Sequence, residues 1–388
     1  MDVPGVSAPR VALSTTTAEP GLTGGRLDGL GVYSLALLRA LPQAGCEVRP
    51  FSFAPAGAAA ALTLGRALPR SFAAATLRDL LPAAAPLRLP ADGADGRVPD
   101  LFHATDYRVV RMDRPVVATL HDALPIAHPE WCNPRLRRLK NWLQAKAARK
   151  ADHVITGSRF SVAELVECFG VDPARISVVH NGVGEEWFEP PAAEAVAATL
   201  AQYGLRPGYF LFVGTLQPRK NVERLLEAYL QLPPVLRAAR QLVVVGAPGW
   251  RSVELTRRLE AARQRGENVV WLSALTEHEQ LRHLYAGGGV FVFPSLYEGF
   301  GLPIVEAFAA GVPVVASNAT SMPEVCLGAA LEVDPNSVAE LAAAMAAMAR
   351  DEALRARCVA AGRRRALELT WAETARRTRA VYHSVLSS

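Results

Sequence analysis

No run of the 388-residue chain approaches the ~18 consecutive apolar residues that a spanning helix needs, which excludes an integral helical membrane protein. The segment Met1-Asp2-Val3-Pro4 lacks the basic n-region and the following apolar stretch of a secretory leader, so a cytoplasmic protein is expected. Cysteine is scarce and scattered. Cys46, Cys132, Cys168, Cys326 and Cys358 form no C-x-x-C and no His pairing at metal-ligand spacing, so neither structural disulfides nor a zinc site is expected. There is no G-x-G-x-x-G, and no acid follows a strand where a dinucleotide ribose would need one, which argues against an NAD-dependent dehydrogenase. No D-x-D stands between strand ends to hold a metal. No RNP, KH, helix-turn-helix or finger pattern accompanies the positive charge, so nucleic acid is not the expected partner.

What is present is apolar and basic. Half of the residues are hydrophobic and 20% are charged, enough to bury more than one core, and the length favours two domains. The net charge of +5 implies attraction to anions without choosing among them. Between Trp131 and Ala151 there is no acid, while Arg135, Arg137, Arg138, Lys140, Lys146, Arg149 and Lys150 alternate with Leu136, Leu139, Trp142 and Leu143. This predicts a basic amphipathic helix over 135–150, able either to approach anionic lipid headgroups or to pack its apolar stripe on its own domain.

Short β-rich runs alternate with helical patterns, as in βα units of a parallel sheet, and the alternation starts twice. The first set comprises Val11–Ser14, Glu47–Phe51, Leu101–His103, Val116–Leu120, His153–Ile155 and Ile176–Val179. The second comprises Tyr209–Val213, Leu242–Val245, Val269–Leu272, Val290–Phe293 and Val312–Val315. Asn181-Gly182-Val183 and Pro190-Pro191 read as a linker between them. The expected architecture is α/β, with two Rossmann-like doubly wound parallel-sheet domains facing across a cleft. Residues 1–185 would form the first and 186–370 the second. Residues 54–97, rich in Ala, Pro, Leu and Arg, allow one helix, around 72–81.

The most informative stretch is Pro294-Ser295-Leu296-Tyr297-Glu298-Gly299-Phe300-Gly301-Leu302-Pro303-Ile304-Val305-Glu306. The apolar run before it reads as a buried strand, so Gly299 and Gly301 lie in a turn at that strand's carboxyl end. Pro303 suits a first helical position, which puts Glu298 on a loop and Glu306 in the first helical turn. A carboxylate accepts from adjacent sugar hydroxyls and helix-start amides can face a phosphate, a combination suited to a nucleotide sugar. Alone, such a pair also fits a solvated loop residue and an acid near the helix dipole. A second segment, Gly214-Thr215-Leu216-Gln217-Pro218-Arg219-Lys220-Asn221, places two cations at a strand-to-helix turn, where they could neutralise a diphosphate without a metal.

These residues resemble the Glu-x7-Glu and G-x-x-x-x-R-K-N signatures of retaining glycosyltransferases of family 4, the mannosyltransferase-like group with the GT-B fold. Thr119-Leu120-His121-Asp122 resembles the mannosyltransferase-type members most. The resemblance implies a hexose transferred from a nucleotide-diphosphate sugar, with mannose from GDP-mannose the first expectation, to a glycan or lipid-linked acceptor. It implies roles residue by residue. Glu298 orients the sugar, His121 touches its far edge, Arg219 and Lys220 hold the diphosphate, and Glu306 holds the ribose. Gly29 and Gly31 lie in a Gly-rich loop over the phosphates, while Gly214, Leu275, Gly299, Phe300, Gly301, Leu302 and Ile304 complete the donor site. Tyr33, Asp106, Tyr107 and Asp122 face the acceptor. No metal or other cofactor is expected, and the helix from Trp371 onward is expected to return to the first domain. Two alternatives stay open, a GT-B sugar-nucleotide epimerase and a non-catalytic nucleotide-binding scaffold at a membrane.

Overall fold

The structure, a computed structural model, describes residues 8–25, 27–55, 57–81, 84–91, 96–132, 134, 137–275 and 277–388. Met1-Asp2-Val3-Pro4, Arg135 and Leu136 lie outside the described residues. The chain divides into two compact units, one of residues 1–129, 134–181 and 371–388, the other of residues 130–133 and 182–370.

The first unit is built on a seven-stranded parallel sheet ordered β3-β2-β1-β4-β5-β6-β7. Its strands are β1 (Arg10–Ser14), β2 (Glu47–Ser52), β3 (Arg66–Ala67), β4 (Leu101–Ala104), β5 (Val116–Thr119), β6 (His153–Thr156) and β7 (Ile176–Val178). Successive side chains of a strand point to opposite faces, and the core divides accordingly. Val11, Leu13, Leu101, Val117 and Ile155 pack on one side with Leu37, Leu41, Ala375 and Tyr382. Ala12, Phe102, Ala104, Val116, Ala118 and Val154 pack on the other with Phe169, Leu165 and Phe53. The carboxy-terminal helix Trp371–Ser387 therefore completes the core of this unit, and the buried Tyr382 hydroxyl meets Nδ1 of the buried His103 at 2.6 Å.

The second unit carries a six-stranded parallel sheet ordered β10-β9-β8-β11-β12-β13. The strands are β8 (Tyr209–Val213), β9 (Leu242–Val245), β10 (Val269–Leu272), β11 (Gly288–Phe293), β12 (Val314–Ser317) and β13 (Leu331–Val333). β8 and β9 are buried nearly throughout, as strands covered on both faces must be, and so they read as continuous apolar runs.

Three expectations need correction. The last long strand begins at Val314 rather than Val312, because proline cannot donate to the ladder and Val312 instead donates its N–H to the Ala307 carbonyl. β3 and β13, of two and three residues at the sheet edges, went unforeseen. The helix in the 54–97 segment is shorter than expected, Phe72–Asp79, capped by the Ser71 hydroxyl.

Candidate active site

In each sheet the strand order reverses once, between β4 and β1 in the first unit and between β8 and β11 in the second. Loops from the two strands flanking such a point diverge and leave a crevice at their carboxyl ends, where ligands of open α/β sheets bind. In the second unit those loops are Gly214–Asn221, after β8, and Pro294–Gly301, after β11. They are stitched together by main-chain contacts. Leu296 N–H donates to the Arg219 carbonyl at 2.7 Å. Asn221, at a left-handed φ of 60° that asparagine tolerates, donates its amide to the carbonyls of Pro294 at 2.9 Å and Pro335 at 2.7 Å.

This stitching brings Arg219, Lys220 and Glu298 into one cluster. Arg219 Nη1 lies 2.9 Å from Glu298 Oε2 and 3.0 Å from the Tyr297 carbonyl. Lys220 Nζ lies 2.5 Å from Glu298 Oε1 and 4.9 Å from the centre of the Phe293 ring. Glu298 is only 7% exposed and Lys220 8%. Burial alone would push the Glu298 carboxyl up, but the charges of Arg219 and Lys220 and the Lys220 hydrogen bond outweigh it and hold the group at about 2. Two cations against one carboxylate leave one net positive charge at the carboxyl ends of β8 and β11, suited to an anionic ligand.

Glu306 lies in the Leu302–Ala309 helix, but not in its first turn. Leu302 opens the helix and Pro303 is second, so Glu306 is fifth, one residue further in than a helix opening at Pro303 would place it. There Tyr285 Oη donates to Glu306 Oε2 at 3.1 Å. Burial raises the Glu306 carboxyl to about 7, partly opposed by the Tyr285 hydrogen bond and the nearby His278, and assisted by Glu186. His278 is itself raised by the Glu186 carboxylate 3.6 Å away. A ribose held by Glu306, as the family resemblance implies, would donate its hydroxyls to the ionised carboxylate, so binding through this residue would require its deprotonation. Donor affinity is then expected to rise about tenfold from pH 6 to pH 8, because the ionised fraction of a group near 7 rises from about a tenth to about nine tenths. Calorimetry with GDP across that range checks it, with Glu306→Gln flattening the profile.

The other donor candidates divide. Gly301 adopts φ 106°, a backbone conformation that favours glycine, and the flexible end of Met322 packs against it. Gly299 and Phe300 are buried, Leu302 and Leu275 half-buried, and Gly214 follows β8 directly. Ile304 faces the core. Its side chain is fully buried in the core and its N–H donates to the Gly301 carbonyl at 3.0 Å, which leaves that amide engaged within the turn.

In the first unit, Gly29 and Gly31 are not in a loop. They open the helix Gly29–Gln43, capped by the Asp28 carboxylate, which accepts from Gly31 N–H at 2.9 Å. Gly31 also lets that helix approach the preceding loop, since a Cβ would stand 2.6 Å from the Thr17 carbonyl. His121 follows β5, and its Nε2 lies 3.1 Å from the Thr105 carbonyl, so Nε2 carries the proton. Burial lowers its pKa against that hydrogen bond, leaving a neutral imidazole whose Nδ1 is an acceptor.

The acceptor candidates are bound up internally. Tyr33 is 1% exposed, its hydroxyl 2.8 Å from Thr119 Oγ1 and its ring edge-on to His121 at 4.8 Å, so it supports His121 rather than an acceptor. Asp106, 1% exposed, accepts from the main chain and guanidinium of Arg108. Tyr107 and Asp122 bond to one another at 2.9 Å. Both Tyr33 and Asp106 are thus buried with their polar atoms engaged by neighbouring residues.

Sequence reasoning missed Tyr285, His278 and Glu186 around Glu306, which carry no local signal. It also missed Asp28, whose place before Gly29 is a readable helix cap.

Comparison with known proteins agrees with this geometry. The description "Glycosyltransferase Family 4" matches residues 27–187, and "Glycosyl transferases group 1" matches residues 200–365. The chain is 34% identical to the O-antigen chain mannosyltransferase B of Escherichia coli over 275 residues, covering 70% of this chain and 71% of that protein. It is 31% identical to the MMP alpha-(1->4)-mannosyltransferase of Mycolicibacterium hassiacum, covering 72% and 68%. Among solved structures, the sucrose-phosphate synthase of Thermosynechococcus elongatus superposes with a TM-score of 0.73 at 23% identity, covering 98% of this chain and 99% of that one. The fold is thus GT-B, and with relatives of this identity and coverage the chain belongs to glycosyltransferase family 4.

Proposed function

We propose that the protein transfers mannose from GDP-mannose, with retention of the α configuration, to a glycan or lipid-linked glycan in cell-surface polysaccharide assembly. The observation that carries this reading is the Arg219–Glu298–Lys220 cluster at the switch point of the second sheet. The mannosyltransferase names of the two relatives support the choice of sugar. In the family's front-side course, the acceptor hydroxyl attacks C1 on the face from which the diphosphate leaves. The C1–O bond to phosphate breaks as the new C1–O bond forms, and the departing phosphate takes the hydroxyl proton. Arg219 and Lys220 offset the charge that grows on that phosphate. Glu298 orients the sugar hydroxyls, and the assignment of His121 to the sugar rests on the family resemblance. Nucleoside diphosphate release from GDP-mannose, UDP-glucose and UDP-N-acetylglucosamine tests the donor. The fastest release is expected from GDP-mannose, and faster release from either UDP-sugar would overturn the assignment.

Because two cations stand where the diphosphate would bind, turnover is expected to persist in excess EDTA. Complete loss, restored by Mg²⁺ or Mn²⁺, would contradict it.

The acceptor class fits a protein working at a membrane surface. In the helix Arg137–Ala148, Leu139 and Trp142 are 52% and 53% exposed, beside the outward-facing Arg138, Lys140 and Lys146. Arg137, Arg149 and Lys150 instead bond inward, to the Pro129 and Phe169 carbonyls and to Asp79. Among the described residues no helix is long and apolar enough to cross a membrane. Peripheral attachment through this helix is expected to appear as cosedimentation with phosphatidylglycerol vesicles that weakens as salt rises to ~0.5 M. Binding that survives charge reversal at Arg138, Lys140 and Lys146 would refute it.

A further inference from the structure

The loop after β12 holds the main chain of Glu298 from both sides. The Thr320 hydroxyl accepts from Glu298 N–H at 3.2 Å. The fully buried Ser321 hydroxyl lies 2.9 Å from the Glu298 carbonyl and 3.1 Å from that of Phe300, so its single proton is shared between them. Met322, the next residue, packs on Gly301. Three consecutive residues thus pin the turn that carries Glu298, while Arg219 and Lys220 hold its carboxylate.

The backbone of this loop is strained. Thr320 adopts φ 56°, in the left-handed region that a β-branched side chain rarely occupies. Such a conformation persists only where the surroundings impose it, and it concentrates where geometry serves function. The exposed Leu327, also left-handed, ends a short helix as its C-cap. Thr320 differs because its hydroxyl is placed on Glu298 by that conformation.

We infer that Thr320 and Ser321 are positioning residues, a strained main-chain clamp that sets the height and direction of Glu298 over the donor sugar. The inference rests on the proposed role of Glu298 and concerns how that residue is held. A carboxylate directed at sugar hydroxyls must be fixed to within about half an ångström for its bonds to strengthen in the transition state. Side-chain ion pairs alone do not give that, because Arg219 and Lys220 would turn toward a bound diphosphate and loosen their hold. The main-chain clamp does not depend on the cations and stays in place through the reaction.

The test compares Thr320→Gly, Thr320→Ser, Ser321→Ala, Glu298→Gln and the Glu298→Gln/Thr320→Gly double variant. Each is assayed for melting temperature and for steady-state turnover of GDP-mannose. Thr320→Gly relieves the strain and removes the hydroxyl. Its Tm is expected to stay level or rise by up to about 2–4 °C while kcat falls at least about tenfold and KM changes less than about threefold. Thr320→Ser keeps the hydroxyl without the branch and is expected to retain wild-type kcat. Ser321→Ala is expected to lose kcat to a similar degree as Thr320→Gly. In the Glu298→Gln background, Thr320→Gly should cost less than about a further twofold, since there is no carboxylate left to position. Wild-type kcat in Thr320→Gly or Ser321→Ala, with Glu298→Gln impaired, would overturn the clamp and leave the role of Glu298 standing. Wild-type kcat in Glu298→Gln would remove that role, and the clamp's purpose with it.

Discussion

Glu298→Gln is expected to lose at least ~100-fold in turnover while binding GDP no more weakly than the parent. The first half follows from the proposed role of the carboxylate, which would bond sugar hydroxyls whose polarity changes as the C1–O bond breaks, so that its bonds matter most in the transition state. The second half follows from the ion pairs. In the unliganded protein Glu298 neutralises part of the charge of Arg219 and Lys220, so it competes with a diphosphate for the same cations. Removing its charge frees them. The fold is expected to weaken at the same time, because breaking a buried ion pair costs about 3–5 kcal/mol when one partner is truncated, and glutamine recovers part of that as a hydrogen-bond acceptor. Calorimetry with GDP, read beside kcat, separates the two effects. Wild-type turnover, or a large loss of GDP affinity with turnover intact, would contradict the role assigned to the carboxylate.

Arg219→Ala and Lys220→Ala are expected to do the converse, each weakening GDP binding by about 10- to 150-fold. That range corresponds to the ~1.5–3 kcal/mol of a hydrogen bond to a charged group. Both side chains stand close to where the diphosphate is proposed to bind. Arg219 is held by the Tyr297 carbonyl and by Glu298, and Lys220 lies against the Phe293 ring in a site that excludes most solvent. Low exposure raises the strength of a charge–phosphate contact over its value in water. Unchanged GDP affinity in both variants would place the diphosphate elsewhere.

Much of the second unit was legible because its strands are continuous apolar runs, buried on both faces in β8 and β9. Tyr209–Val213, Leu242–Val245 and Val269–Leu272 read as apolar runs and occur as strands with those bounds. The glycines around Glu298 and the Arg219-Lys220 pair also stood out, since each departs from what a plain strand-to-helix turn needs. What could not be read is strand order. β8 and β11 are neighbours although two strands intervene in sequence, so the contact of Lys220 with Glu298, 78 residues apart, has no local trace. The same holds for Tyr285 beside Glu306 and for Thr320 and Ser321 beneath Glu298. In the first unit the errors were of another kind. Gly29 and Gly31 suggested a loop, but the Asp28 cap draws both into a helix, and Tyr33 is turned inward by a helix face whose burial the glycine pattern obscured.

The configuration of the product tests the account most directly. Proton NMR of the anomeric signal, recorded on the glycoside formed from GDP-α-mannose before any mutarotation of free sugar can intervene, reports the face from which the acceptor attacked. Front-side displacement at the Arg219–Glu298–Lys220 site predicts an α-linked product. A β-linked product would require attack from the opposite face and would contradict both the retaining course and the role given to Glu298.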